Sequence, residues 1–282
     1  MGTDEGGGET PAWTRAQAAA IRRTRETVAP IVHPPARRVD PDLHLWDTWF
    51  VRTPAGAVAE VGGRRVIVAL TAASDLLPGK RHDVATLRFF HSADGRTWET
   101  GGRLFPASEP LGQRQWAGSA VLFPPGEGPD AGRDADAGTD ARGEGGSDAE
   151  AGADAGDLVV YYTAAGERGA PELTYGQRLA AASGGRLRAG EGRVRVEGPF
   201  EHRSLLHADG TLYEREAQSR GMIFTFRDPW YFEDPADGEA YLLFEGNTPV
   251  PEGSDACGGD PTRQEFNGSV GVAHSPSGDP LE

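Results

Sequence analysis

The run His44-Leu45-Trp46-Asp47-Thr48-Trp49-Phe50-Val51 decides how this chain is read. Its aromatic and β-branched residues mark a strand. Yet it carries an aspartate, a residue disfavoured in strands and costly among aromatic rings unless it finds a partner. Far along the chain, Phe224-Thr225-Phe226-Arg227-Asp228-Pro229-Trp230-Tyr231-Phe232 repeats the pattern. Between them lies Gln115-Trp116-Ala117-Gly118-Ser119-Ala120-Val121-Leu122-Phe123, of the same character but without the carboxylate.

Working outward, each run opens a unit of three strand-like segments. More apolar segments follow at Arg64 to Ala72, Asp157 to Ala165 and Glu239 to Asn247. Third segments span Thr86 to Ser92, Gln177 to Ser183 and Ser269 to Ser275, and their closing serines stand 91 and 92 residues apart. Glycine, proline and Asp-Gly turns, as at Asp94-Gly95 and Asp209-Gly210, separate the segments. Antiparallel strands repeated in series without intervening helices predict an all-β fold of the β-propeller type. Superposing the openings aligns Asp47, Ala117 and Asp228, and in a propeller such inner strands line one axial channel.

The period exceeds the usual ~40 to 50 residues of a blade, so long loops must be inserted. Residues 124–156 are expected to form one, a disordered acidic surface insertion, because their Gly, Ala, Asp and Glu content cannot bury enough apolar area to order them. Residues 1–40 are read as a leader with a short helix over Trp13 to Thr27, closed by the proline-bearing segment Ala29 to Ala36. Residues 41–282 are read as a partial propeller.

The chain has 282 residues, with 43 acidic against 28 basic side chains and a formal charge of −15; Lys80 is its one lysine. Such a polyanion repels nucleic acid and anionic lipid, so neither is expected as a partner. Dense surface carboxylates also suit concentrated salt, where screening removes self-repulsion, and point to a halophilic source. Part of the excess is local, since residues 124–156 contribute −7. Cys257 is the single cysteine, which leaves no intramolecular disulfide. No apolar stretch near the N-terminus could serve as a signal-peptide core or a membrane span.

Two carboxylates flanked by indoles suit sugar chemistry. Aromatic faces stack on sugar rings, and carboxylates attack or stabilise the cationic centre of a breaking glycosidic bond. The runs Leu45-Trp46-Asp47-Thr48-Trp49, Gln115-Trp116-Ala117-Gly118-Ser119-Ala120, Leu212-Tyr213 to Gln218, Phe226-Arg227-Asp228-Pro229 and Phe244-Glu245-Gly246-Asn247-Thr248 resemble, in order, glycoside hydrolase family 68, the levansucrases and inulosucrases.

That resemblance implies a five-bladed β-propeller, about three blades of it in this chain, and a retaining two-step transfer of fructosyl from sucrose to a β-fructan or to water. It makes Asp47 the nucleophile and Asp228 the transition-state stabiliser. It places Trp46 and Trp116 on the walls of the fructosyl pocket, Arg227 on donor hydroxyls, and Glu245 behind them as an orienting group. Glu245 is expected to be buried and therefore paired. The resemblance also implies an extracellular enzyme without a cofactor, although the sequence shows no export address and leaves the cytoplasm open.

Three departures stand out. Ala117 replaces a serine common in the family, and Met222 occupies the place of an aspartate that binds calcium in some relatives, so no metal is expected. The family's general acid/base sits in a Glu-Arg-Pro run absent from residues 1–282, so the fragment is expected to turn over little sucrose. The rival readings are a β-fructofuranosidase-type hydrolase and a non-catalytic sugar-binding propeller remnant.

Overall fold

A computed structural model of the chain describes residues 14–30, 37–105, 110–129, 153–220, 223–250 and 266–282. It divides into two compact units, Met1–Arg38 and Val39–Glu282. In the first, the helix α1 covers only Arg15–Ala20, opened by a capping box between Thr14 and Gln17. The expected helix to Thr27 is therefore a correction. Thr24 and Thr27 bond local backbone N–H groups of Thr24, Glu26 and Thr27 instead, and such side-chain competition ends helices.

The second unit is built of strands. A first meander contains β1 (Leu43–Arg52), the two-residue β2 (Glu60–Val61), β3 (Arg64–Ala73), β4 (Thr86–Ser92) and β5 (Glu99–Arg103). A middle meander contains β6 (Arg114–Phe123), β7 (Ala153–Ala165), β8 (Gln177–Gly190), β9 (Arg193–Glu197) and β10 (Glu201–His207), and a third contains β11 (Phe226–Glu233), β12 (Ala240–Asn247) and β13 (Gly268–His274). All three expected strand triplets are present, each paired antiparallel in sequence order. A short parallel pairing of Val51 and Arg52 with Ala120 and Val121 joins the first two openings side by side.

Two differences from the expected organisation concern the middle meander. Strand β7 begins at Ala153, inside the stretch read as insertion, while residues 130–152 lie outside the described residues. Strand β8 runs past Ser183 to Gly190 and pairs with both β9 and β10. Elsewhere the turn chemistry holds. The Asp94 carboxylate accepts hydrogen bonds from the N–H groups of Arg96 and Thr97 and from Ser92, and Asp209 accepts from the N–H groups of Thr211, Leu212 and Tyr213. These donors hold both carboxyls below their ordinary range.

The middle sheet is covered on both faces, which explains why Leu158-Val159-Val160-Tyr161-Tyr162 is apolar without alternation. Val160, Tyr162 and Ala182 pack with Val68, Leu70 and Phe89 of the first meander. Their neighbours Val159, Tyr161 and Ala181 pack with Leu242 and Tyr231 of the third. Successive side chains of a strand point to opposite faces, so one strand serves two cores. Fully burying a valine, leucine or phenylalanine side chain in this way contributes about 1.5 to 3 kcal/mol. Tyr161 stacks on Tyr231 at 5.5 Å, and its hydroxyl donates to the Pro280 carbonyl at 2.8 Å.

Gly118 shows why the Trp-Ala-Gly-Ser run needs its glycine. A Cβ there would collide with the Tyr161 carbonyl oxygen and lie 2.8 Å from its carbonyl carbon on the adjacent strand. Gly118→Ala is expected to destabilise the chain by about 1 to 3 kcal/mol, the scale of overpacking. A urea midpoint unchanged from the parent would contradict this.

Candidate active site

The site forms where the three opening strands leave their ladders. The β1–β3 register breaks between Trp46 and Thr48, β6–β7 between Trp116 and Gly118, and β11–β12 between Arg227 and Trp230. Asp47, Ala117 and Asp228 are thus bulged residues at equivalent places, as their alignment in the sequence predicts. Bulges re-aim a side chain and recur beside active sites. Asp47 and Asp228 also take left-handed backbone angles, φ 42° and 59°, which among the described non-glycine residues only Glu191 shares. Such conformations cost about 1 to 3 kcal/mol and persist where surrounding structure fixes them.

Two hydroxyls provide that fixing at Asp228. The bulge and Pro229 remove this segment from the β12 ladder, so its backbone groups need other partners. Thr163 Oγ1 accepts the Asp228 N–H at 2.8 Å and donates to the Ala117 carbonyl at 3.0 Å. Ser119 Oγ donates to the Pro229 carbonyl and accepts the Tyr231 N–H, both at 2.9 Å. The Arg-Asp-Pro run of the third meander is therefore laced to the middle one.

Around the carboxylates the charges are ordered. Arg227 faces Glu245 across the β11–β12 pair, and its Nε donates to Glu245 Oε2 at 2.6 Å. The same Nε lies 3.7 Å from Asp228 Oδ2. Glu245 is paired as expected, but its side chain is 49% exposed, which corrects its expected burial. It stands at the open rim, where Arg227 supplies the counter-charge and desolvation is partial. Partial desolvation of the Asp228 carboxyl, whose side chain is still 42% exposed, pushes it up to about 6, with Arg227 opposing the shift and the carboxylates of Glu245 and Asp47 adding to it.

The sign of that shift sets a stability test. The folded chain holds the Asp228 proton to higher pH than the unfolded one, so stability falls as pH rises from 3.8 to about 6. Asp228→Asn removes this dependence. Its melting temperature relative to the parent is expected to rise across that window and to plateau above it; a difference independent of pH would refute the assignment.

The tryptophans divide their tasks. Trp46 is half-buried, with Arg81 over its face at 4.8 Å and the His82 ring edge-on at 5.4 Å. Trp116 is 9% exposed, and its indole N–H donates to the His82 carbonyl at 3.1 Å. His82, on the short 3₁₀ turn Pro78–Val84, is the residue that sequence reasoning missed. Its ring lies against both indoles and within the fields of Asp47 and Arg227. Burial first, then the Arg81 guanidinium, lower its affinity for a proton, and the ring is neutral at pH 7. The Arg81-His82-Asp83 triplet was the available signal, a cluster of ionisable groups just before an apolar strand.

The structure thus draws Asp47, Asp228, Arg227, Glu245, Trp46 and Trp116 to one place. Met222 lies outside the described residues, and among those described no cluster of three metal-ligating side chains occurs.

The chain is similar to known proteins over most of its length. The levansucrase/invertase family model matches residues 3–129 and 134–268. An extracellular sucrase of Zymomonas mobilis is 28% identical over 251 residues, 88% of this chain and 52% of the relative. A levansucrase of Rahnella aquatilis is 30% identical over 263 residues, 87% of this chain and 54% of the relative. Among solved structures, an inulosucrase from Halalkalicoccus jeotgali bound to kestose is 53% identical, with a TM-score of 0.77 over 97% of this chain and 59% of that one. The chain spans about half the length of the curated relatives it matches. With its strand triplets, its paired aspartate bulges and a family model covering nearly its whole length, the chain belongs to the levansucrase/invertase family, glycoside hydrolase family 68.

Proposed function

We propose that this chain carries the fructosyl-binding side of a sucrose fructosyltransferase, with its three meanders as blades of a five-bladed ring. Asp47 attacks the anomeric carbon of the fructosyl unit, the bond to the glucosyl oxygen breaks, that oxygen takes a proton from an acid group or water and leaves as glucose, and a fructosyl ester forms on Asp47. A hydroxyl of a fructan, or water, then attacks that carbon, gives its proton to a base or to solvent and releases Asp47 as the carboxylate, so configuration is retained overall. Asp228, ionised above pH 6, offsets the positive charge of the oxocarbenium-like transition state and accepts hydrogen bonds from sugar hydroxyls. Arg227, held by Glu245, directs its remaining N–H donors to the donor sugar. The carrying observation is the pair of left-handed aspartate bulges at equivalent strand positions, each within the other's field.

The extracellular location described for the Zymomonas mobilis sucrase is proposed for this chain too. No helix among the described residues is long and apolar enough to cross a membrane. The net charge of −15 fits work in concentrated salt.

The test is incubation with sucrose and chromatography of the products. Glucose in excess of free fructose marks transfer, equal amounts mark hydrolysis, and saturable sucrose binding without a fructosyl adduct on Asp47 favours a non-catalytic propeller. Acid quenching followed by peptide mass analysis is expected to show one fructosyl unit on the peptide bearing Asp47.

A further inference from the structure

We propose that Tyr175 is a stacking platform for a distal fructofuranosyl unit of an oligosaccharide acceptor, reached once the nearer sugars fill the pocket at Asp47. This rests on the fructosyltransferase reading above. Tyr175 belongs to the segment joining β7 and β8 and is 45% exposed. Exposed aromatics are common and by themselves mean little. This one is held in a fixed pose. Its hydroxyl donates to Asp83 Oδ1 at 3.3 Å, next to His82, and the Arg114 guanidinium lies over its ring at 4.9 Å.

Arg114 makes the arrangement unusual. The side chain is 2% exposed, and its guanidinium also lies over Trp116, at 5.5 Å. It donates to the Thr174 carbonyl at 2.7 Å and to Gln113 Oε1 at 3.2 Å, while its Nε has no partner. Burying a cation so incompletely satisfied is costly. What it accomplishes is to tie the Trp116 ring of the pocket to the Tyr175 ring at the surface. The flanking backbone is clamped as well. Gln113 accepts the Thr174 N–H at 3.0 Å and donates to the Glu172 carbonyl at 2.8 Å, and Gly166 closes the loop on Gly176 at 2.8 Å.

An aromatic ring immobilised before binding loses little entropy when a ligand arrives, and its face suits the C–H face of a neutral sugar. Tyr175 bonds Asp83 and carries Arg114 over its ring, whereas the ring contacts of Trp46 are with Arg81 and His82 and the charge contacts of Arg227 are with Asp228 and Glu245, so the sugar on Tyr175 is placed beside the transferred unit rather than at Asp47. Leu173, on the same loop, is 44% exposed. The ligand class is a neutral fructosyl oligosaccharide of three or more units.

Calorimetric titration of the Asp47→Asn chain with sucrose, kestose and longer fructo-oligosaccharides, in the presence and absence of Tyr175→Ala, tests this without turnover. Tyr175→Ala is expected to weaken the oligosaccharides roughly 5- to 10-fold and sucrose less than about twofold. Tyr175→Leu, which keeps apolar volume against Arg114, is expected to behave the same way and covers the case in which the alanine variant does not fold. Tyr175→Phe keeps the ring and is expected to bind like the parent. Equal losses for sucrose and oligosaccharides, or no loss for either, would overturn the platform. A parent that binds no sugar at all would overturn the fructosyltransferase reading, and the platform with it.

Discussion

In the enzyme with its general acid/base in place, Asp47→Asn is expected to lower sucrose turnover by on the order of 10⁴-fold, the scale of losing a group that acts in the covalent step, while sucrose affinity changes less than a few-fold. The substitution is nearly isosteric. Asparagine tolerates left-handed backbone angles better than most residues, so the bulge at φ 42° is kept without added strain. What is lost is the anionic oxygen that forms the ester in the proposed mechanism. Asp47→Glu tests position rather than charge. Its extra methylene displaces the carboxylate, and misplacement of about 1 Å costs ~10²-fold. Stopped-assay glucose release, with sucrose binding measured separately, separates the effects. Near-parent rates for Asp47→Asn would remove Asp47 from the covalent step.

The two variants ask what the strand pattern alone could already suggest. The alignment of Asp47, Ala117 and Asp228 was legible because three similar runs of aromatic and β-branched residues open three similar units. What the alignment could not show was that all three positions are bulges, since a bulge is a property of the pairing partner as much as of the strand. Nor did β5 and β10 declare themselves. Glu99-Thr100-Gly101-Gly102-Arg103 has little apolar alternation, and its pairing depends on β4 already being in place. The helix stops at Ala20 rather than Thr27 because the hydroxyls of Thr24 and Thr27 take up local backbone N–H groups, a competition that the sequence does not declare. His82 was missed because the short 3₁₀ element Pro78–Val84 carries no apolar periodicity, and only the tertiary contact with two tryptophans gives it meaning. The electrostatic partners of Asp228 were half visible. Arg227 is its neighbour in sequence, whereas Glu245 comes opposite Arg227 only through the β11–β12 register.

Thr163 is the sharpest instance of a residue whose role appears only in three dimensions, and it carries the second large effect. Buried at 0% exposure in β7, it reads from sequence as an ordinary strand threonine. Thr163→Val keeps its shape and removes the hydroxyl, leaving the Ala117 carbonyl and the Asp228 N–H without the partner that joins them. Each orphaned group costs about 1 to 3 kcal/mol, so the variant is expected to lose about 2 to 5 kcal/mol, a fall of roughly 2 to 4 °C per kcal/mol for a domain of this size. Thr163→Ser retains the donor and acceptor and is expected to recover most of the loss. Stability alone would not distinguish a packing role from a positioning one. Ser119→Ala supplies the comparison, since it cuts the other lace, at Pro229 and Tyr231, and leaves the Asp228 N–H bonded. If Thr163 positions Asp228, Thr163→Val lowers kcat at 25 °C by ~10- to 100-fold with KM nearly constant, and Ser119→Ala destabilises without a comparable fall in kcat. Equal kcat for the two variants would leave Thr163 a structural residue, because of the four bonds the two variants cut only the one from Thr163 reaches the Asp228 N–H.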